Sequence, residues 1–103
     1  MLTLLFYLTA REGREEPFHD LAVRLTEITR SEDDGCLAYT FHRRSDNPRE
    51  YVLYEQWRDG KALQAHLEHL QALYGPPRPG ESFPAAIVDL CEPGEAVSYE
   101  VVA

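Results

Sequence analysis

The sequence predicts an α+β domain in which four strands form one antiparallel sheet and two helices cover a single face of it. Three observations carry this. Short runs rich in β-branched and aromatic residues read as strands, among them Leu2–Thr9, Cys36–Arg43 and Glu50–Trp57. Two stretches repeat apolar residues at helical spacing: Phe18, Leu21, Ala22, Leu25 and Ile28 in the first, Ala62, Leu63, His66, Leu67, Leu70 and Leu73 in the second. These elements alternate in the order strand, helix, strand, strand, helix, strand, which is the order of a ferredoxin-like split βαβ unit.

The first strand is apolar on both parities, with Leu2, Leu4, Phe6 and Leu8 on one side and Leu5 and Tyr7 on the other, so burial on both faces is expected. Gly13 turns the chain, and Glu15-Glu16-Pro17 suits a first helical turn, where acidic side chains meet the positive helix end and proline lacks a needed N–H. The helix is predicted over residues ~14–31, and Ser31-Glu32-Asp33-Asp34-Gly35 ends it. The second strand presents Leu37, Tyr39 and Phe41 on one face and Cys36, Ala38, Thr40 and His42 on the other. Ser45-Asp46-Asn47-Pro48 is turn chemistry and joins it to the third strand as a hairpin. Asp59 is a plausible N-cap for the second helix, which runs to Tyr74. Gly75–Pro84 is too rich in Pro and Gly for regular structure and is either the edge of a site or a rigid connector. Ala85–Leu90 reads as a strand, Glu92–Glu95 as a turn, and Ala96–Val102 as more strand.

With 103 residues the chain reads as one domain spanning 1–103. A formal net charge of −8, with no basic run longer than Arg43-Arg44, argues against nucleic acid, whose phosphates need clustered cations. The apolar N-terminal LTLLFYLTA has no basic flank and is too short to span a bilayer, so no membrane role is expected and the location is read as cytoplasmic. Cys36 and Cys91 form no CxxC motif; a disulfide is open to them, but two buried thiols in a reducing compartment is the favoured reading. There is no P-loop, no GxGxxG and no closed Cys/His set, so neither metal nor flavin is expected. Two helices cover only one sheet face. The other exposes Tyr, Leu and Val from several strands, which predicts a homodimer with its sheets packed face to face.

The stretch Tyr51–Leu70 (YVLYEQWRDGKALQAHLEHL) concentrates the chemistry. A strand ends in Trp57, and nine positions later the apolar stripe of the second helix carries one titratable residue, His66. Gly35-Cys36-Leu37 entering a strand, Tyr51-Val52-Leu53-Tyr54-Glu55-Gln56-Trp57, Ala62-Leu63 and His66-Leu67 together resemble the antibiotic biosynthesis monooxygenase (ABM) domain, a branch of the dimeric α+β barrel superfamily. The resemblance implies a homodimeric barrel with one pocket per protomer between sheet and helices. It also implies that some members oxidise phenolic or quinone-like compounds with O2 and no metal or flavin. Members similar to the polyketide-oxidising enzymes carry an Asn four residues before the Trp and a Tyr six after it; Leu53 and Leu63 stand there, so Trp57 alone carries over. The haem-degrading branch has a second Trp and a His where this chain has His66 and Pro76, which disfavours haem.

His66 has two readings: a core histidine bonded to a backbone carbonyl or tyrosine, or a general base able to take a phenolic proton near neutral pH. Trp57 reads as core packing or as an N–H donor to a substrate oxygen. Tyr39, His42, Tyr51 and Tyr54 are candidates to line the same cavity. Glu55, a charge in a buried strand, either orients an imidazole or pairs with Arg43 or Arg44. His66 and His69 lie three apart on one helix but lack an evident third ligand, so a metal site is not expected. The function expected is cofactor-independent oxygenation of a small aromatic or quinonoid compound. The alternative is a non-catalytic dimeric barrel that binds such a compound.

Overall fold

The computed structural model describes residues 1–103. In chain order it contains β1 (Leu2–Ala10), α1 (Glu15–Glu32), β2 (Cys36–Arg43), β3 (Glu50–Trp57), α2 (Gly60–Tyr74), a one-turn helix α3 (Ala85–Val88) and β4 (Cys91–Tyr99). The strands form one antiparallel sheet in the order β2-β3-β1-β4. This is the split βαβ arrangement: the β2–β3 hairpin lies to one side of the central β1, and the chain returns to add β4 on the other.

β1 is internal, hydrogen-bonded to β3 on one side and β4 on the other. Leu4, Phe6 and Leu8 point to the helices and face the inward side of β3, with Phe6 paired to Leu53 and Leu8 to Tyr51. The helices close over this face with stripes of the expected period. α1 buries Phe18, Ala22, Leu25 and Thr29, and α2 buries Ala62, His66 and Leu70 at intervals of four. Asp59 caps α2 as its sequence position suggests, its Oδ1 accepting the Ala62 N–H at 2.9 Å. The opposite face carries Leu5, Tyr7, Val52, Tyr54, Val97 and Tyr99. In the single chain, Tyr7 is 43% and Tyr99 47% exposed, so β1 is covered on one face only.

The C-terminal third corrects the sequence reading. Ala85–Leu90 is not a strand: Ala85–Val88 wind into one helical turn and bury Ile87 and Val88. Pro84, at φ −49°, leads into the turn, and the Asp89 N–H closes on the Ala85 carbonyl at 2.9 Å. Four apolar residues carry no periodicity, so pattern alone could not separate the two outcomes. Glu92–Glu95 is not a turn either. It lies inside β4, where the register shifts between Phe6 and Leu8. There Gly94 crowds Tyr7 so closely that a Cβ would stand 2.8 Å from the Tyr7 carbonyl oxygen. The Pro-Gly pair therefore marks a bulge on an edge strand, the position in a sheet that tolerates proline. The 75–84 segment is pinned by a Pro77–Pro84 bridge and by Arg78 to Asp89 at 2.7 Å, and it brings Phe83 against Phe6 with ring centroids 5.0 Å apart.

Candidate functional site

Between the sheet and the helices lies a cavity of about 150 Å³. Its wall is largely aliphatic and aromatic, with Phe6, Phe18, Leu53, Leu70, Phe83 and Ile87 contributing, and its ionisable groups are Glu55, His66, Tyr39 and Cys91. No lysine or arginine lines it. Phe83 makes the 75–84 segment an edge of this site rather than only a connector.

His66 is built from two directions. α2 turns it inward on the buried stripe with only 2% of its surface exposed, where its ring lies 4.6 Å from Trp57 and 5.5 Å from Tyr39, centroid to centroid. The loop after α1 supplies its partner. The Asp33 N–H ends α1 on the Thr29 carbonyl, and its carboxylate reaches across to α2. Oδ2 lies 2.5 Å from His66 Nδ1 and Oδ1 lies 2.6 Å from His69 Nδ1. A carboxylate only accepts, so both Nδ1 atoms carry the proton and donate it. His66 is left with Nε2 as a lone-pair nitrogen that no protein group engages. Close approach of α2 to this loop depends on Gly35: at φ +84°, a Cβ there would stand 2.6 Å from Ala62 Cβ.

Burial pushes the His66 pKa below its usual value, against the opposing bond and charge of Asp33. The imidazole is therefore neutral at pH 7, as a base must be. Glu55 projects from β3 onto the same cavity and is 5% exposed; burial raises its pKa to about 7, and the Trp57 Nε1–H donated to Oε1 at 3.1 Å only partly offsets this. Burial, then the charge of Glu55, holds the Tyr39 hydroxyl well above the ordinary tyrosine range. Burial likewise raises the Cys91 thiol to about 11, which leaves it unreactive at neutral pH.

The structure thus brings together His66, Tyr39 and Glu55 on the cavity, with Trp57 packed behind the imidazole and bonded to Glu55. It separates the rest. Tyr51 shares the inward face but packs edge-on against Phe18, with centroids 4.9 Å apart, outside the cavity wall. His42 and Tyr54 point to the other side of the sheet, because they alternate with Phe41 and Leu53, which face inward. They do not line this cavity. Glu55 pairs with neither Arg43 nor Arg44; its partner is the indole two residues on. His69 is not an incidental helix neighbour, since it shares Asp33 with His66.

Asp33 escaped the sequence reading because it sits in a helix-ending acidic run, 33 positions from His66. The signal that could have found it is the His-x-x-His pair, whose two inward nitrogens require an acceptor.

Set beside known proteins, the chain matches the family model described as antibiotic biosynthesis monooxygenase over residues 1–73. Among solved structures it superposes on a protein of Pseudomonas aeruginosa with TM-score 0.76 and 26% identity, covering 99% of this chain and 94% of that one. A protein of Mycobacterium tuberculosis gives 0.77 at 20%, with 99% and 95% covered. A mutant of SnoaB, the cofactor-independent oxygenase of Streptomyces nogalater, gives 0.75 at 19%, with 97% and 91% covered. No curated protein matches the chain.

Proposed function

The chain belongs to the antibiotic biosynthesis monooxygenase family, and from that premise we propose that it is a cofactor-independent monooxygenase acting on a small phenolic or quinone-like compound. The observation that carries this is the Asp33–His66 pair: a neutral imidazole, its Nδ1 held by a carboxylate, on the wall of an apolar cavity. Nε2 takes the hydroxyl proton of a phenol, and Asp33 stabilises the imidazolium that forms. The anion of an electron-rich ring, a hydroquinone above all, gives an electron to O2 directly. One oxygen atom enters the ring carbon, which loses its hydrogen, and the ring becomes a quinone. The other oxygen leaves as water, carrying that hydrogen and the hydroxyl proton, so the substrate itself supplies both electrons. SnoaB, a cofactor-independent oxygenase with the same fold, is consistent with this chemistry.

We further infer a homodimer, because Leu5, Tyr7, Val52 and Tyr54 lie together on the uncovered sheet face. No helix is long and apolar enough to cross a membrane, and both cysteines are free, which fits a cytoplasmic setting.

The test is oxygen uptake with a panel of hydroquinones and reduced naphthoquinones. His66→Ala is expected to lose about 10²- to 10⁴-fold in rate while remaining folded. Asp33→Asn is expected to slow turnover and to move the acid limb of the pH–rate profile to lower pH, because Asp33 raises the His66 pKa. Full activity per folded His66→Ala protein would return the histidine to the core and end the catalytic assignment.

A further inference from the structure

We propose that the cavity selects an uncharged, single-ring phenol or hydroquinone, and that Glu55 is the group that engages its hydroxyl. This takes the oxygenase reading as its premise and narrows the substrate within it.

Size, charge and polarity point the same way. A cavity of about 150 Å³ in an apolar protein interior holds one benzene ring, and a fused polycycle would have to leave part of its ring system outside. The lining offers no cation, and its carboxyl group is buried among hydrophobic side chains. A ligand carboxylate or phosphate would enter with no partner charge, against Glu55, at a high desolvation cost. A ligand with no polar group would leave Oε2 of Glu55 without a partner, since the Trp57 N–H occupies Oε1 and no protein group bonds to Oε2. A ring hydroxyl can serve Oε2 in either protonation state, donating to the carboxylate or accepting from the acid. It also presents the proton that Nε2 of His66 takes, on the same wall.

The experiment is titration calorimetry on the intact protein under nitrogen, so that binding is read without turnover. Phenol and hydroquinone are expected to bind saturably, one per chain, with toluene about tenfold weaker for want of one hydrogen bond, and benzoate and anthrone not at all. Benzoate binding as well as phenol would overturn the charge argument, and anthrone binding as well would overturn the size argument. Glu55→Met removes both oxygens at similar volume and is expected to erase the preference for phenol over toluene. An unchanged preference in the folded variant would remove Glu55 from the proposal, and if the variant does not fold, the wild-type ligand series decides alone. The two readings fail separately. Phenol binding with no oxygen uptake from any compound defeats the oxygenase reading and leaves the ligand class standing. Oxygen uptake confined to polycyclic compounds defeats the ligand class and leaves the oxygenase.

Discussion

Glu55 is a carboxylic acid kept in the interior without a cation, and its only protein partner is a neutral indole N–H. That arrangement has a measurable consequence for stability. The folded chain holds the Glu55 proton up to about pH 7, against an ordinary value of 4.5. Below the ordinary value both states are protonated and the group has no effect. As pH rises from there to 7, the unfolded chain releases the proton and the folded chain does not, so stability falls by on the order of 3 kcal/mol. Above that window the loss is complete. Glu55→Gln does not titrate, so its stability relative to wild type should climb with pH across this window in urea denaturation; a difference that stays flat would show that Glu55 ionises normally when folded. His66 works in the other sense, its lowered pKa costing stability as pH falls below its usual value. Both residues were legible in the sequence, as a charge within a strand and an imidazole within an apolar stripe. Asp33 was not, because nothing in a loop of acidic residues says which one turns inward. His42 and Tyr54 were misplaced against the pattern itself, since alternation sets His42 opposite Tyr39 and Tyr54 opposite Tyr51, and one cavity can take only one face of each strand.

At the scale of elements, the site exists because two turns place α2 against the loop after α1. Gly35 is the contact point. Its φ of +84° lies in the left-handed region, and the space a side chain needs is filled by Ala62 Cβ at 2.6 Å. Gly35→Ala should therefore destabilise the fold by about 2 kcal/mol or more, combining strained backbone with a clash that only a shift of α2 relieves. Such a shift also draws His66 and His69 from Asp33, so the imidazole NMR signals of both should move together even where the variant remains folded. Unchanged melting and unchanged signals would mean that the loop and helix are not coupled there. Long elements with a full period, α1, α2 and the three strands before α2, were readable from the sequence because each presents several repeats of its pattern. The short ones were not. A run such as Ala85–Val88 completes no period, and Pro93-Gly94 signals irregular backbone without saying whether the chain reverses or bulges.

For the whole molecule, the decisive asymmetry is between the two faces of one sheet, and adjacent residues on β3 allow each to be probed with the same chemistry. Leu53 faces inward, is 5% exposed and pairs with Phe6 across the strand boundary, on the wall of the cavity. Val52 faces outward, between Tyr7 of β1 and His42 of β2. A lysine at position 53 would place an unpaired charge among aromatic rings, and Leu53→Lys should prevent folding. A lysine at position 52 leaves the core of the single chain untouched. If the outward face is the dimer interface, two-fold symmetry repeats each new charge on the partner sheet, and Val52→Lys should give a folded monomer. Light scattering at micromolar concentration, with circular dichroism on the same samples, reads both results. A wild-type protein that is monomeric would refute the dimer, and a Val52→Lys protein that is still dimeric would place the interface elsewhere. In either case the apolar outward face of β1 and β3 would need a different partner to cover it.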